Sequence, residues 1–214
     1  MSNKTKITTL FLDIGGVLLS DGWGHDFRRQ AAEKFQLDMP EMEERHSLVF
    51  VTYEEGKITL EEYLKRVVFY KSRDFSFKEF RDFMFSLTTP DPEMIAFVKK
   101  LKIQKGLKIV AVSNEARELN AYRIHTFMLN GFIDFFISSC YVQVRKPDTA
   151  IFKLALDMAD VSTSEVVYID DVQMFTDIAT DLGIKSIRHT DWSSTSSILA
   201  GMGLQIESRL LVHG

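Results

Sequence analysis

The sequence predicts an α/β fold: a doubly wound, five-stranded parallel sheet with an α-helical insertion after the first strand. Short apolar runs alternate with amphipathic helical segments through most of the 214 residues, as in folds built from βαβ units. The segment between the first two runs breaks this alternation, because it contains helical patterns alone. A chain of this length can form one full core and a smaller accessory subdomain.

Five runs have the length and composition of buried strands, at residues 7–12, 107–113, 133–138, 166–169 and 184–187. Asp91 and Pro92 predict the start of a crossover helix, since aspartate is a favoured N-cap and proline a favoured first residue. Gly106 predicts its end. Asp148 predicts the cap of a second helix, whose apolar side would consist of Ile151, Leu154, Ala155, Met158 and Ala159.

Residues 20–89 are predicted to form a helical cap subdomain, with residues 1–19 and 90–214 forming the α/β core. Two capping boxes begin helices in this insertion, at residues 59–62 and 76–79. Apolar side chains recur at helical spacing behind them: Leu60, Tyr63, Leu64, Val67 and Val68, then Phe77, Phe80, Phe83 and Met84. An insertion at this point would stand over the carboxyl end of the first strand, and we interpret it as a lid. The glycine-flanked residues 20–25 would be its hinge or flap.

Composition excludes several classes of function. The formal net charge of -4 and the pI near 5.8 give no electrostatic footprint for nucleic acid. Cys140 is the only cysteine, which excludes a disulfide framework and fits a cytoplasmic protein. No apolar stretch reaches the roughly 18 residues of a membrane span, and no signal-peptide or ATP- or NAD-binding pattern is present. We expect a small-molecule substrate, with no nucleic-acid or membrane partner.

Polar residues follow the predicted strands where each strand ends or the next helix begins: Asp13, Ser113, Asn114, Lys146, Asp170 and Asp171. Because the carboxyl ends of parallel strands meet at one edge of a sheet, we expect these side chains to surround one crevice. Gly15 and Gly16, just past Asp13, allow a sharp turn and a close approach by a ligand.

The chemistry that these residue types support is phosphoryl transfer. Asp13 and Asp171 would bind Mg²⁺, which prefers oxygen ligands, and Asp13 could also act as a nucleophile. Ser113 can donate a hydrogen bond to a phosphate oxygen, and Lys146 can stabilise the developing negative charge. Each residue alone has an ordinary explanation, as a turn residue, a helix cap or a surface lysine. Their occurrence in this order at successive strand ends favours the functional interpretation.

The chain resembles the haloacid dehalogenase (HAD)-like superfamily of hydrolases in four motifs: FLDIGGVL at residues 11–18, VSN at 112–114, RKPD at 145–148 and YIDD at 168–171. It resembles the branch with a helical cap inserted after the first motif, which includes the phosphatase domain of soluble epoxide hydrolase and related sugar-phosphate phosphatases. The resemblance implies a Rossmann-like core, Mg²⁺ as the cofactor and an aspartyl-phosphate intermediate.

The resemblance also implies roles for individual residues. Asp13 would be the nucleophile and a metal ligand, and Asp171 the second carboxylate ligand, with Asp170 supporting the lysine or the metal. The Gly15 backbone carbonyl would complete the protein's metal ligands. Ser113 and Lys146 would act in catalysis. The groups that contact the substrate would be those of Gly15, Gly16, Ser113, Asn114 and Lys146.

The sequence departs from the family pattern at two positions. Gly15 stands where family phosphatases usually carry a second aspartate, the general acid and base, whose loss slows turnover roughly 10²- to 10⁴-fold. Glu115 or a residue of the cap could supply the missing acid. Phe175 stands where the fourth motif usually has a further aspartate or asparagine. Asp177, two positions on, would face elsewhere on a helix, and we expect it on the surface.

Three functions remain open from the sequence. We favour a slow or selective magnesium-dependent phosphatase acting on a small phosphate monoester. A dehalogenase-type hydrolase using the same nucleophile is weaker, because relatives with that activity place a larger polar or aromatic residue at the position of Gly15. A catalytically degenerate binding protein is the third. The substrate's identity and the oligomeric state are left open, because both depend on tertiary packing.

Overall fold

The computed structural model of the protein describes residues 6–207, with one five-stranded sheet. Its strands are β1 Thr9–Leu12, β2 Lys108–Ser113, β3 Phe135–Ser138, β4 Val166–Asp170 and β5 Lys185–Arg188. They are ordered β3-β2-β1-β4-β5, and every neighbouring pair is parallel. The predicted α/β fold and all five strands are therefore confirmed, with each boundary within two residues of the prediction.

Ten helices accompany the sheet in the described residues. They are α1 His25–Lys34, α2 Met39–Glu54, α3 Leu60–Val67, α4 Phe77–Ser86, α5 Pro92–Lys105, α6 Arg117–Thr126, α7 Ser139–Val142, α8 Ala150–Ala159, α9 Gln173–Asp181 and α10 Trp192–Gly201. None of them combines the length and apolarity that crossing a membrane requires.

The sheet is covered on both faces, because successive side chains of a strand point to opposite sides. Leu10 and Leu12 belong to an apolar cluster that includes buried residues of α5 and α10. Phe11, between them, belongs to a second cluster with residues of α8 and α9. All residues of β1 and β4 are buried, whereas the edge strand β5 exposes Lys185 and Arg188. This is the pattern of a parallel sheet packed between helices.

The four helices α1–α4 form an insertion with its own apolar cluster, joined by Ala116 and Leu119 near the start of α6. Both predicted capping boxes are present: Thr59 and Glu62 cap α3, and Ser76 and Glu79 cap α4. The predicted apolar stripe of α3 is buried throughout. On α4, Phe80 and Met84 are buried, and Phe77 and Phe83 are partly buried against the same cluster.

The chain leaves the sheet and returns to it at adjacent positions. Ser20 N–H donates to the Thr89 carbonyl at 2.7 Å, and Thr89 N–H donates to Ser20 Oγ at 3.0 Å. One residue before and after these, Leu19 and Pro90 form an antiparallel bridge. We propose that this paired crossing separates the two units, at the boundary expected between residues 20–89 and the core.

Two predictions about helix ends can be compared with the structure. Asp91 Oδ1 accepts from Met94 N–H at 2.8 Å, and Gly106 ends α5 with a φ of 66°, as predicted. At α8 the N-cap position falls on Thr149, one residue later than predicted, although Asp148 Oδ1 accepts from Ala150 N–H at 2.8 Å. The prediction that Met158 belongs to the buried apolar side of α8 is wrong, because this residue is 52% exposed.

Candidate active site at the carboxyl edge of the sheet

Asp13 lies at the centre of the carboxyl edge of the sheet, directly after β1. It is buried, and its backbone N–H donates to the Ile169 carbonyl of the neighbouring strand at 2.9 Å. Asp13 Oδ1 accepts from Ser113 Oγ at 2.5 Å and from Ile14 N–H at 2.8 Å. Burial raises the pKa of the Asp13 carboxyl to about 7, against the lowering effect of the Lys146 ammonium. Asp13 and Ser113, which were expected to border one crevice, are therefore in direct contact.

Lys146 is fully buried beside two carboxylates. Its Nζ lies 3.1 Å from Asp13 Oδ2, 2.5 Å from Asp170 Oδ2 and 3.2 Å from the Tyr168 hydroxyl. Burial alone would lower the pKa of Lys146, but the charges of Asp13 and Asp170 raise it above its ordinary value. The lysine that the sequence places at a helix start is thus a charged group inside the site.

Asn114 holds the backbone of Lys146 in place. Its side-chain amide donates to the Lys146 carbonyl at 2.9 Å, and its side-chain oxygen accepts from Lys146 N–H at 2.8 Å. This reciprocal pair occupies both ends of the Asn114 amide. The prediction that Asn114 contacts the substrate stays a prediction, and the structure adds a positioning role for its side chain.

Asp170 and Asp171 differ in their surroundings, although they are adjacent. Asp170 is fully buried, and its oxygens accept from Lys146, from the Tyr168 hydroxyl and, at 2.8 Å, from Val172 N–H. Asp171 is half-buried and lies against Gly16, where an added β-carbon would come within 2.3 Å of Asp171 Oδ2. Gly16 also has a φ of +68°, which glycine adopts without strain. Gly16 therefore leaves the space that the Asp171 carboxylate occupies.

The carboxylates of Asp13, Asp170 and Asp171 form one acidic cluster. One oxygen from each lies within 4.8 Å of the others. Oxygens on opposite sides of an octahedral Mg²⁺ are about 4.2 Å apart, since each Mg–O distance is about 2.0–2.1 Å. Carboxylate oxygens are the donors that a hard divalent cation prefers, and their separation here is close to that of its ligands. We call the five residues Asp13, Ser113, Lys146, Asp170 and Asp171 the floor of the site.

Gly15 and Phe175, the two positions that depart from the family pattern, differ in what surrounds them. A β-carbon added to Gly15 would meet nothing closer than Gly22 N at 3.6 Å. The ring centroid of Phe175 lies 4.9 Å from Lys146 Nζ, so an aromatic face contacts the ammonium where a polar side chain was expected. Asp177 is exposed and accepts from the Gln173 side chain at 2.7 Å, which confirms that it lies on the surface.

Above the floor is a cavity of about 340 Å³ that reaches the helical insertion. Its lining includes Asp13, Gly15 and Asp171 from the core, together with Trp23 and Arg28 from the insertion. A larger groove of about 770 Å³ lies elsewhere, beside Phe77, Phe85 and Tyr122, and contains none of the floor residues. The smaller cavity is therefore the candidate site.

Three arginines line this cavity, and each is paired with a glutamate. Arg28 contacts Glu43 through two hydrogen bonds, at 2.5 and 3.0 Å. Arg145 Nη2 lies 2.7 Å from Glu54 Oε2. Arg123, which is fully buried, donates to Glu115 and, at 2.6 Å, to the Ser20 carbonyl. We call these three arginine–glutamate pairs and His46 the wall of the cavity.

The predicted alternative acid, Glu115, is therefore engaged by a guanidinium. Burial raises the pKa of its carboxyl, and the Arg123 charge opposes the rise. Burial also raises the pKa of Glu54 to about 7, against the effect of Arg145. Both glutamates face the cavity, but each already has an arginine partner.

His46 belongs to a chain of hydrogen bonds with two aromatic residues of the insertion. Trp23 Nε1 donates to the Tyr63 hydroxyl at 2.8 Å, and the Tyr63 oxygen lies 2.7 Å from His46 Nδ1. Burial and the Arg28 charge lower the pKa of His46 to about 4, so its ring is neutral. Trp23 is buried and anchors the predicted flap.

Several cavity residues were missed by the sequence analysis, namely Asp21, Arg28, His46, Phe50, Glu54 and Arg123. One signal was available. His46, Phe50 and Glu54 are spaced four residues apart on α2 and therefore share one helix face. Their mixed chemistry gives no apolar stripe, so a search for apolar periodicity does not detect them.

Comparison with known proteins identifies a family and several solved structures of similar fold. A family model described as haloacid dehalogenase-like hydrolase matches residues 7–174. Bifunctional epoxide hydrolase 2 of Sus scrofa is 45% identical over 60 residues, a stretch that covers 27% of this chain and 11% of that protein. Because so little of that relative is matched, its activities do not transfer directly.

Among solved structures, a HAD family enzyme of Bacteroides thetaiotaomicron in complex with magnesium and inorganic phosphate has a TM-score of 0.74 and 23% identity. The alignment covers 88% of this chain and 98% of that one. A HAD-like family hydrolase of Porphyromonas gingivalis has a TM-score of 0.72 and 18% identity, covering 92% and 98%. The L-2-haloacid dehalogenase of Xanthobacter autotrophicus has a TM-score of 0.60 and 14% identity, covering 97% and 92%. At these identities the similarity concerns the fold.

Proposed function

Because the chain belongs to the haloacid dehalogenase-like hydrolases, we propose that it is a magnesium-dependent phosphatase acting on a small phosphate monoester. The observation that carries this proposal is the charge of the floor, where three carboxylates cluster around one buried lysine that pairs with two of them, Asp13 and Asp170. Mg²⁺, when bound, would offset this excess negative charge and reduce the repulsion between a carboxylate nucleophile and an anionic phosphate.

We propose that the residues holding Mg²⁺ are Asp13 and Asp171, through their carboxylates, and Gly15, through its backbone carbonyl. Asp170 borders the cluster, but its oxygens already accept from Lys146, Tyr168 and Val172. Its role in the proposal is therefore to keep Lys146 charged and in position.

The reaction would proceed in two steps. An Asp13 carboxylate oxygen forms a bond to phosphorus while the bond from phosphorus to the ester oxygen breaks. This gives an aspartyl phosphate, and the departing oxygen keeps the electron pair and takes up a proton to become an alcohol. Ser113 Oγ and Lys146 Nζ, both within 3.1 Å of the Asp13 carboxylate, are in reach of the phosphoryl oxygens. Water then attacks phosphorus, and the Asp13 carboxylate and inorganic phosphate are released.

Dehalogenation is the second candidate, favoured by the fold shared with L-2-haloacid dehalogenase. The charges of the site disfavour it. A 2-haloacid carries a carboxylate, and in the described lining of the cavity every arginine already pairs with a glutamate. Without a divalent cation, the floor would repel such a substrate. A binding protein without turnover is the third possibility, and it would be distinguished by the absence of product.

Phosphate release from p-nitrophenyl phosphate, with Mg²⁺ or with a chelator, tests the proposal. The wild-type protein should release phosphate only with Mg²⁺, and Asp13→Asn should lower the rate at least about 10³-fold, because the nucleophile is lost. Asp177→Asn is the matched control, since this aspartate is exposed and near the same motif. Halide release from 2-chloropropionate without metal would support dehalogenation instead, and the absence of both products would support a binding role.

A further inference from the structure

The proposed phosphatase reaction lacks a proton donor at the position of Gly15. An alcohol leaves a phosphate ester readily only when its oxygen is protonated, and the water of the second step must lose a proton. A glycine can do neither. A replacement for that aspartate would be a carboxyl group of another described residue that reaches the same space.

The side chain of Asp21 reaches it. A β-carbon added to Gly15 would lie 3.8 Å from Asp21 Oδ1 and 3.8 Å from Asp21 Cα. No other charged group is among the three nearest atoms to that point. An aspartate at position 15 would extend its own carboxylate into this region, so Asp21 approaches from the flap the space that residue 15 leaves empty.

The backbone around Asp21 donates a hydrogen bond to its carboxylate and leaves space beside it. Gly22 N–H donates to Asp21 Oδ1 at 2.7 Å. A β-carbon added to Gly24 would lie 2.0 Å from Asp21 Oδ2 and 2.9 Å from Asp21 Cγ. The backbone of Gly24, with φ of -71° and ψ of 172°, suits any residue, so the glycine is required there for space and not for conformation. Gly15 and Gly24 thus each leave room beside the Asp21 side chain.

Asp21 is an exposed residue that also borders the candidate site. It lines the cavity that contains Asp13, Gly15 and Asp171. The other carboxylates of the lining outside the floor are those of Glu54 and Glu115, and both pair with arginines. No arginine or lysine pairs with Asp21 among the ion pairs of the described residues.

We propose that Asp21 replaces the missing aspartate as general acid and base in the phosphatase reaction, an inference that rests on the proposed function. In the first step, as the bond between phosphorus and the ester oxygen breaks, that oxygen takes the electron pair and receives the proton of the Asp21 carboxyl group. In the second step, water forms a bond to phosphorus and its proton passes to the Asp21 carboxylate. The bond between Asp13 and phosphorus breaks, and both aspartates return to their starting states.

The test compares two phosphate esters in the presence of Mg²⁺: p-nitrophenyl phosphate, whose leaving group is stable as an anion, and an alkyl phosphate such as glycerol phosphate. Asp21→Asn should lower the steady-state rate with the alkyl ester roughly 10²- to 10⁴-fold, because both proton transfers are lost. With p-nitrophenyl phosphate the first step needs no acid, so a burst of p-nitrophenol and an accumulating phosphoenzyme should remain.

The controls separate chemistry from structure. Asp26→Asn removes another exposed carboxylate near the flap and should leave both rates unchanged. Gly15→Asp combined with Asp21→Asn should restore alkyl phosphate hydrolysis, because a β-carbon added at position 15 would have no contact below 3.6 Å. Glu54→Gln tests the competing carboxylate of the insertion.

The outcomes distinguish the two proposals. If the wild-type protein is active and Asp21→Asn hydrolyses the alkyl phosphate at a rate within a few-fold of the wild type, the role of Asp21 is overturned. The phosphatase proposal would stay intact. That role would also be overturned if Asp21→Asn slowed both esters equally without a burst, or if Glu54→Gln alone produced the leaving-group effect. A wild-type protein that releases no phosphate would overturn both proposals.

Discussion

The floor and the wall of the cavity handle charge in opposite ways. On the floor, one lysine pairs with two of three clustered carboxylates, and negative charge remains in excess. In the wall, three arginines meet three glutamates, and the histidine beside them is neutral. Buried carboxylates repel one another unless a cation binds between them, whereas the charges of an ion pair already neutralise each other. The floor therefore fits a site for a metal, and the wall fits a surface that supports the fold.

The largest expected effect is on stability and comes from the wall. Arg123→Met should destabilise the protein by about 3–5 kcal/mol, because it leaves the Glu115 carboxylate buried without a partner. Urea unfolding measures this change. Arg29→Met is the matched control, since Arg29 pairs with Asp26 and Glu33 at the surface and should contribute no more than about 1 kcal/mol. Equal losses in the two variants would contradict the view that the wall pair is a structural charge pair.

The second expected effect is on metal affinity and comes from the floor. Gly16→Ala should weaken Mg²⁺ binding about 10- to 100-fold, since the added carbon would displace the Asp171 carboxylate that it meets at 2.3 Å. Gly106→Ala is the matched control, because Gly106 has a similar positive φ of 66° but no atom within 4 Å of an added carbon. Calorimetric titration should show weaker Mg²⁺ binding only in the first variant. Unchanged affinity in both would remove Asp171 from the proposed metal ligands.

The residues of the floor could be predicted from the sequence, whereas those of the wall could not. Asp13 and Asp171 follow strands of a parallel sheet and Ser113 ends one, so strand ends alone predict that they converge. Lys146 follows the same logic at a helix start, although its pairing with Asn114 depends on a loop geometry that no local pattern encodes.

The wall depends on how the insertion folds back over the sheet. Arg28 and Glu43 come from two different helices, and Glu54 meets Arg145 across more than 90 residues of chain. Neither contact has a periodic signature in the sequence. Asp21 was overlooked for a different reason. Its glycine neighbours were interpreted as a hinge, whereas Gly24 provides the space that the Asp21 carboxylate needs.

The central claim is that the floor holds Mg²⁺ through the carboxylates of Asp13 and Asp171, and calorimetric titration of the wild-type protein with Mg²⁺ tests it most directly. The account predicts binding of one Mg²⁺ per chain, lost or strongly weakened in Asp171→Asn and retained in the surface variant Asp177→Asn. Wild-type protein that binds no Mg²⁺, or binds it equally well after Asp171→Asn, would contradict the claim.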